Sequence, residues 1–320
     1  MRSSSIDHLD VSAIIISLNS RHFLRDCIVS LRETEWRNVS CEIIVVDNAS
    51  SDGTQEMVRT EFPWVKLIAN DRNVGYCPAG NQGAQVARGR YLLFLNDDIL
   101  ILDDALPRLV EFMAAQRKVG MIGSRLLNAD GTDQFSSGRT FPTPMNALFG
   151  RKSFLTRVFP RARWAQKYLL SHRVNEETAY QVDWLSAAAM MVRGDLFRQL
   201  GGLAEDFYYF HEMVFCKRVQ DAGYQVYLDP KSRILHYEGA GSGVRTKRVR
   251  RKHILAFHAA AIRWFCRHHH IGARSPLRPL ITALLWSRAA LLVCIDALQP
   301  NGRRATQELQ AGRPEGGVAL

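Results

Sequence analysis

The sequence predicts an α/β fold: a mostly parallel central sheet flanked by helices, with a helical extension at the C-terminal end. Three observations lead there. Short apolar runs recur through the first half, amphipathic stretches separate them, and polar or acidic residues follow each run. Strands that read as continuous apolar runs are covered on both faces, as happens when helices link parallel strands.

The elements follow in order. Val11 to Ile16 is β-rich and is followed by helical spacing from Phe23 to Leu31. Glu42 to Val46 forms a second strand ending at Asp47, and the turn-rich segment Asn48 to Gly53 leads into a helix near Thr54. Val65 to Ile68 is a third strand, Ala79 to Arg88 a helix of small residues, and Tyr91 to Leu95 a fourth strand. A helix from Leu106 to Gln116 and a strand from Val119 to Gly123 complete this half. From Gly131 to Tyr180, with Pro142, Pro144 and Pro160 among aromatics and arginines, the pattern reads as loops and short helices. Order returns at Val182 to Leu185 and Ala187 to Val192, followed by a helix near Asp195 to Leu200 and an aromatic loop, Phe207 to Phe210. His211 to Ala222 reads as a helix closed by Gly223, and two short strands are expected at Tyr224 to Leu228 and Ile234 to His236.

Composition narrows the function. At 320 residues, 47% hydrophobic and 23% charged, the chain is an ordinary globular one. A net charge of +11 calls for an anionic partner: nucleic acid, a membrane surface or a substrate. Six dispersed cysteines without a C-x-x-C pair argue against a zinc site or a disulfide framework and for a reducing compartment. Met1 to Asp10 has no apolar core of signal-peptide type, so the chain is expected to start and stay in the cytoplasm. The absence of G-x-G-x-x-G and of G-K-[ST] disfavours dinucleotide dehydrogenases and P-loop NTPases.

In parallel sheets ligands bind beyond the carboxyl ends of the strands, which directs attention to Asn19, Asp47, Asn70 to Gly75 and Asn96-Asp97-Asp98. Two adjacent acids at the end of an apolar strand repel each other, and a divalent cation such as Mg²⁺ or Mn²⁺ makes the arrangement favourable. A solvated turn, or capping of the next helix at Asp103 and Asp104, is the competing account. Asp52 before Gly-Thr suits a helix cap, whereas Asp47 sits closer to the strand and suits a nucleoside contact. Asn73 to Asn81 opens a helix with glycines and a proline, as an anion-binding N-terminus or as a tight βα turn.

Together, Val11 to Asn19, Glu42 to Gly53, Asn73 to Gly83, Tyr91 to Asp98, Trp184 to Val192 and Phe207 to His236 resemble glycosyltransferase family 2, the GT-A fold enzymes, over roughly Val11 to Gly243. The resemblance implies that Asp47 contacts the nucleobase, with Ser17 and Asn19 completing the nucleoside pocket. It implies that Asn73, Gly75 and Asn81 line the nucleotide-sugar site, with Asp97 beside them. Asp98 would be the acid of a D-x-D-like motif that holds the metal against the diphosphate, Asn96 replacing the motif's first acid. His236 would be a further metal ligand. The family's E-D-x-D-L-x-x-R stretch corresponds to His211 to Arg218, where Glu212 replaces the catalytic Asp and Val214 the second acid. Glu has a similar acidity and a longer arm, so Glu212 is read as the general base. A solvated residue near a helix N-terminus is the alternative for Glu212, and a buried, backbone-bonded histidine the alternative for His236. Asp183 and Trp184 are candidate acceptor contacts, with core packing equally able to explain Phe207 and Phe210.

The implied activity is inverting transfer of a sugar from a nucleoside diphosphate, dTDP- or UDP-linked, to a glycan or lipid-linked acceptor. The L-N-x-D and H-E patterns are similar to rhamnosyltransferases of bacterial surface-polysaccharide assembly. The rival readings are a catalytically weakened glycan- or membrane-binding homologue, a nucleotidyltransferase sharing the sheet, and a nucleic-acid binder, the last not favoured. The expected organisation is a catalytic domain over residues 1–243 (nucleotide-sugar half 1–125, acceptor half 126–243), a basic helical membrane-contact extension over 244–300, and a disordered tail over 301–320. In the extension, Arg245 to Lys252 is densely cationic, Ile254 to His268 reads as a helix, and Leu280 to Leu298 is apolar but interrupted by Arg288 and Asp296. An interfacial helix on the inner face of the plasma membrane fits this pattern, as does a helix pair packed on the domain.

Overall fold

The computed structural model of the protein describes residues 9–142, 170, 173, 175–238 and 247–298. The chain divides into two compact units, Met1–Asp206 with His211–Gly241, and Phe207–Phe210 with Ser242–Leu320.

In the first unit the elements run β1 (Val11–Ser17), α1 (Arg21–Glu33), β2 (Cys41–Asp47), α2 (Thr54–Glu61), β3 (Lys66–Ala69), α3 (Tyr76–Val86), β4 (Tyr91–Asn96), β5 (Ile99–Ile101), α4 (Ala105–Ala115) and β6 (Val119–Leu127). There follow β7 (Gly138–Arg139), β8 (Tyr180–Gln181), β9 (Trp184–Leu185), β10 (Ala189–Arg193), α5 (Gly194–Gln199), α6 (His211–Asp221) and β11 (Gln225–His236). Among the described residues nine strands form one sheet in the order β3-β2-β1-β4-β10-β6-β11-β5, with β8 added on β11, and β7 pairs with β9 separately. The first four strands are parallel. β10 enters antiparallel between β4 and β6, and β5 and β8 run antiparallel to β11.

This topology explains where polar residues collect. Strands β1 and β4 bury both faces, so apart from Ser12 and Tyr91 near their starts their side chains are apolar up to the strand ends, where the sheet meets solvent. The parallel register sets Ser17 beside Asp47 and Ile16 beside Asn96, aligning three polar strand ends on one edge. β10 begins at that edge, with Ala189 opposite Leu95, and so delivers Ser186 to Ala188 there. β11 ends there too, with His236 opposite Ile99.

The two short strands expected between Tyr224 and His236 are one, β11, with an irregularity between Asp229 and Arg233. Pro230 and the exposed Lys231 masked its continuity, since Pro has no N–H to offer a ladder. Buried Asp229 is paired with Arg108 at 3.3 Å, and Ser232 Oγ donates to Ala105 O at 2.8 Å, so polar partners hold the bulge. Asp104, a candidate helix cap, instead reaches Arg37 at 2.8 Å, while Asp52 accepts from Thr54 N at 3.1 Å and Arg21 N at 3.0 Å, tying the starts of α1 and α2 together.

In the second unit α7 (Lys247–His268) and α8 (Leu277–Leu298) form an antiparallel hairpin. Arg250 pairs with Asp296 at 2.7 Å, and Arg288 Nη1 donates to His258 Nε2 at 2.9 Å. The aromatic segment Phe207–Phe210, expected in the acceptor half, groups with this unit. Its Phe210 ring lies 4.8 Å from Phe257, and the Tyr209 hydroxyl bonds His253. The tail from Asn301 and the Pro144 and Pro160 segment lie outside the described residues.

Helix α3 rests on β1 and β2 through glycines. A Cβ at Gly83 would sit 2.4 Å from Ile14 Cγ2 and 3.2 Å from Val46 Cγ2. Both neighbours are β-branched and rotationally stiff, so the helix must move away. Gly83→Ala is therefore expected to destabilise by about 1–3 kcal/mol, despite alanine's better helix propensity, read as a lower urea midpoint.

Candidate active site

At the turn between β4 and β5 three consecutive polar residues have different surroundings. Asn96 N donates to Ala188 O at 3.0 Å, and its side-chain amide lies 3.4 Å from His236 Nε2. Asp97 turns under β1, where Leu18 N approaches its carboxylate at 3.4 Å. Burial, and then the adjacent Asp98 charge, push its carboxyl up to about 7, against the opposing pull of the Ser17 hydroxyl, Leu18 N–H and Ser20 hydroxyl. Asp98 faces the other way, toward β11.

Asp98 Oδ1 lies 3.4 Å from His236 Nε2, with both side chains less than a tenth exposed. Gln134 fixes what that contact is. Its side-chain amide donates to His236 O at 2.6 Å, so its other atom, Oε1, is the oxygen that meets His236 Nδ1 at 2.9 Å. An oxygen there requires a proton on Nδ1, so that whenever the ring is neutral its Nε2 lone pair faces a carboxylate oxygen without a hydrogen-bond partner. Two buried electron-pair donors face to face suit a cation. An oxygen and an imidazole nitrogen are ligands for Mn²⁺ or Mg²⁺, with remaining positions left to phosphate oxygens and water. Among the described residues no group of three or more His, Cys, Asp or Glu side chains forms a fuller cage.

Glu212 opens α6, on another side of the same loop. Tyr76, at the start of α3, donates its hydroxyl to Ala187 O at 3.0 Å, and its ring lies 4.7 Å from that of His211. His211 Nδ1 is 3.5 Å from Glu212 Oε2. Burial, with the nearby Cys77 and Glu212 charges, holds the Tyr76 phenol well above its ordinary value, so it stays a donor. Residues Ala187 and Ala188 thus tie Tyr76, and through it Glu212, to the loop that Asn96 binds. Glu212 Oε2, both His211 nitrogens and Asp98 Oδ1 are buried without hydrogen-bond partners. Unsatisfied polar groups of this kind are rare in the interior of a fold and frequent at reactive sites.

The other candidates bond mainly within the loops that carry them. Asp47 is fully buried, and its carboxylate accepts from Ser50 N at 2.9 Å, Gln55 Nε2 at 2.7 Å and the Ser50 hydroxyl. It shapes the loop after β2 and does not face solvent as an open nucleobase contact. Asn19, in a left-handed conformation at φ 52°, accepts from Ser51 N at 2.7 Å and braces that same loop. Asn73 Oδ1 accepts from Gly75 N at 2.9 Å. Gly75, at φ 92°, leads into α3 with no side chain over the helix N-terminus, an opening suited to an anion. Asn81 points away from this edge. It accepts from Leu203 N at 2.8 Å and donates to Leu203 O and Glu205, clamping the loop after α5.

The acceptor candidates are held by partners within the fold. Trp184 is buried, donates its indole N–H to Thr140 O at 3.0 Å and lies under Arg139, so no face is free for a sugar. Asp183 accepts from Phe141 N at 2.7 Å. Both hold the β7–β9 ribbon. Conversely Gln134, Tyr76 and the Ala187–Ala188 backbone bear on the site and carried no local signal, apart from Tyr76's position beside Gly75.

A sheet in this order, with its acidic turn and a histidine from the far strand meeting on the carboxyl edge, defines a GT-A nucleotide-sugar glycosyltransferase. The family model described as Glycosyl transferase family 2 matches residues 12–182, and the chain belongs to that family. It is 25% identical over 283 residues, 85% of this chain and 89% of the other, to an N-acetylglucosaminyl-diphospho-decaprenol L-rhamnosyltransferase of Mycobacterium tuberculosis. It is 34% identical to the succinoglycan biosynthesis protein ExoO of Rhizobium meliloti over 134 residues, 41% of this chain and 38% of that one. Among solved structures it shares its fold with the mannosyltransferase PcManGT from Pyrobaculum calidifontis in complex with GDP-Man and Mn²⁺ (TM-score 0.55, 17% identity, 96% of this chain and 79% of that chain).

Because its folded-state value exceeds the unfolded value of about 3.9, Asp97 favours the neutral form in the fold. Its contribution to stability is present at low pH and is lost as pH rises from about 4 to about 7. Asp97→Asn removes this slope. In metal-free buffer it is expected to melt above wild type at pH 8 by at least ~2 °C, with the gap shrinking toward pH 4, as measured by scanning fluorimetry.

Proposed function

We propose that this glycosyltransferase performs an inverting transfer, moving a sugar from a nucleoside diphosphate to a hydroxyl of a lipid-linked glycan in bacterial surface-polysaccharide synthesis. The observation that carries this reading is that Asp98 Oδ1 and Glu212 Oε2, acids from separate segments of the catalytic unit, are both buried without hydrogen-bond partners. The similarity to a rhamnosyltransferase along most of both chains favours rhamnose as the sugar, and the family resemblance of the sequence favours dTDP as its carrier.

In this reading Glu212 takes the proton from the acceptor hydroxyl as its oxygen attacks the anomeric carbon, and the carbon–diphosphate bond breaks on the opposite side. His211 and Tyr76 hold the Glu212 end of the site, and the open N-terminus of α3 after Gly75 offers backbone N–H groups to the diphosphate. A divalent cation held by Asp98 and His236 would neutralise charge on the departing diphosphate. Asp97, sheltered beneath β1, keeps the turn in shape and does not reach the donor.

The hairpin favours a place at an anionic membrane surface, on the cytoplasmic side. From Lys247 to Leu298 the sequence holds ten Lys and Arg against the single acid Asp296. α8 is long and apolar enough to span a bilayer, yet its two internal charges are turned to α7, where Arg250 and His258 meet them. Leu277, Leu280, Leu284, Leu291 and Ile295 remain exposed at helical spacing. An apolar stripe backed by a cationic helix suits a helix lying in the plane of an anionic interface.

Screening nucleoside diphosphate sugars, dTDP-rhamnose included, with Mn²⁺ or Mg²⁺ and a polyprenyl-linked acceptor tests the activity. Release of no nucleoside diphosphate from any donor would favour a binding homologue and defeat the transferase reading. Glu212→Gln is expected to lower kcat by about 10²–10⁴ while donor affinity, by calorimetry, stays within a few-fold. A Leu284→Asp, Leu291→Asp double variant is expected to lose co-sedimentation with vesicles containing anionic lipid, while donor binding is retained.

A further inference from the structure

Gln134 is a buried residue of the loop after β6, remote in sequence from the strand end it touches. It contacts His236 twice, once through the backbone and once through the ring. We propose that Gln134 is a positioning residue that fixes the His236 tautomer, so that the ring presents its Nε2 lone pair to a divalent cation beside Asp98. This rests on reading Asp98 and His236 as the metal ligands.

The geometry fixes the hydrogens on the Nδ1 side of the ring. A backbone carbonyl can only accept, so the Gln134 atom 2.6 Å from His236 O is the amide nitrogen. Its oxygen then meets Nδ1 at 2.9 Å and accepts the ring proton. Ser136 Oγ also donates to that oxygen at 3.3 Å, and Gln134 N donates to Leu126 O at 3.1 Å, so the side chain is held at both ends. On the other side of the ring, the Asn96 amide lies 3.4 Å from Nε2, where an N–H meets a lone pair. In solution, imidazole carries its proton mostly on Nε2, the arrangement that would block a cation here. Selecting the other tautomer removes that competition, as outer partners of metal-binding histidines do.

Three proteins test this: wild type, Gln134→Leu and Gln134→Glu. Glutamate can still accept from Nδ1 and, when protonated, also donates to His236 O; leucine does neither. Long-range ¹H–¹⁵N correlation spectra of the metal-free proteins read the tautomer directly. The Nδ1–H form is expected for His236 in wild type and Gln134→Glu, with a shift toward Nε2–H in Gln134→Leu. Mn²⁺ titration in the presence of dTDP, followed by electron paramagnetic resonance, should show about 10–100-fold weaker binding for Gln134→Leu and a change of no more than a few-fold for Gln134→Glu. A wild-type His236 protonated on Nε2, or Mn²⁺ binding by Gln134→Leu as tight as wild type, would overturn the proposal. If Gln134→Leu does not fold by circular dichroism, loss of the Nδ1–H form in Gln134→Glu overturns it, and retention with intact Mn²⁺ binding supports it. Wild type that keeps the Nδ1–H form yet binds no Mn²⁺ with dTDP would instead overturn the metal reading of Asp98 and His236, and the purpose given to the clamp with it.

Discussion

The meeting of Asp98 and His236 is the constraint around which the catalytic unit is arranged. Asp98 lies just past the last parallel strand of the first half, and His236 ends the long strand that returns from the second. They meet only because β5 turns back antiparallel against β11, setting His236 opposite Ile99. Tyr237 N then donates to Asp98 O at 2.9 Å, fastening the two segments beyond the pair itself. The buried ion pair of Asp229 and Arg108 and the Ser124–Ser232 hydrogen bond stiffen β11 upstream. A buried pair that far apart in sequence depends on that whole frame, because a bare attraction between lone pairs does not exist.

The adjacent acids illustrate how a fold separates two like charges. Asp97 is supported from β1 by Leu18 N–H, where burial favours its neutral form. Asp98 has no such donor on Oδ1 and relies on what sits between it and His236. The same logic of proton placement recurs in the second unit. His258 donates Nδ1–H to Ile254 O at 2.7 Å and accepts from Arg288 at Nε2. Burial and the Arg288 charge push its pKa down, against the pull of Ile254, so the ring stays neutral and remains an acceptor. Both histidines are thus set by a carbonyl-type oxygen at Nδ1, one facing a carboxylate and one a guanidinium.

The strands of the first half were legible because buried parallel strands leave unbroken apolar runs, and the polar residues after them marked the edge where Asp98 and His236 meet. The antiparallel strands were harder. β5 is three residues long, and Pro230 broke the apparent continuity of β11. At the site, Asp98 and Glu212 each keep a buried oxygen without a hydrogen-bond partner, whereas Asp47, Asn81, Asp183 and Trp184 are occupied by partners within the fold. Residue type alone does not separate these cases. A carboxylate bound to Ser50 and Gln55 and one left with a bare oxygen look alike in sequence, and the difference lies in loop geometry. Gln134 was invisible for the same reason: its value comes from a residue over a hundred positions away.

In the hairpin, the residue numbers of the two cross-links have a common sum, as they must in an antiparallel pair that keeps one register. The connection between α7 and α8 can therefore change length without disturbing either link, because both partners lie outside it. An insertion or deletion between Arg288 and Asp296 is a different matter. Each residue added there rotates the rest of the helix by about 100°, carrying Asp296 off Arg250 and onto the greasy outer surface. Length variation along this part of the chain should be tolerated at the bend and forbidden in the second half of α8.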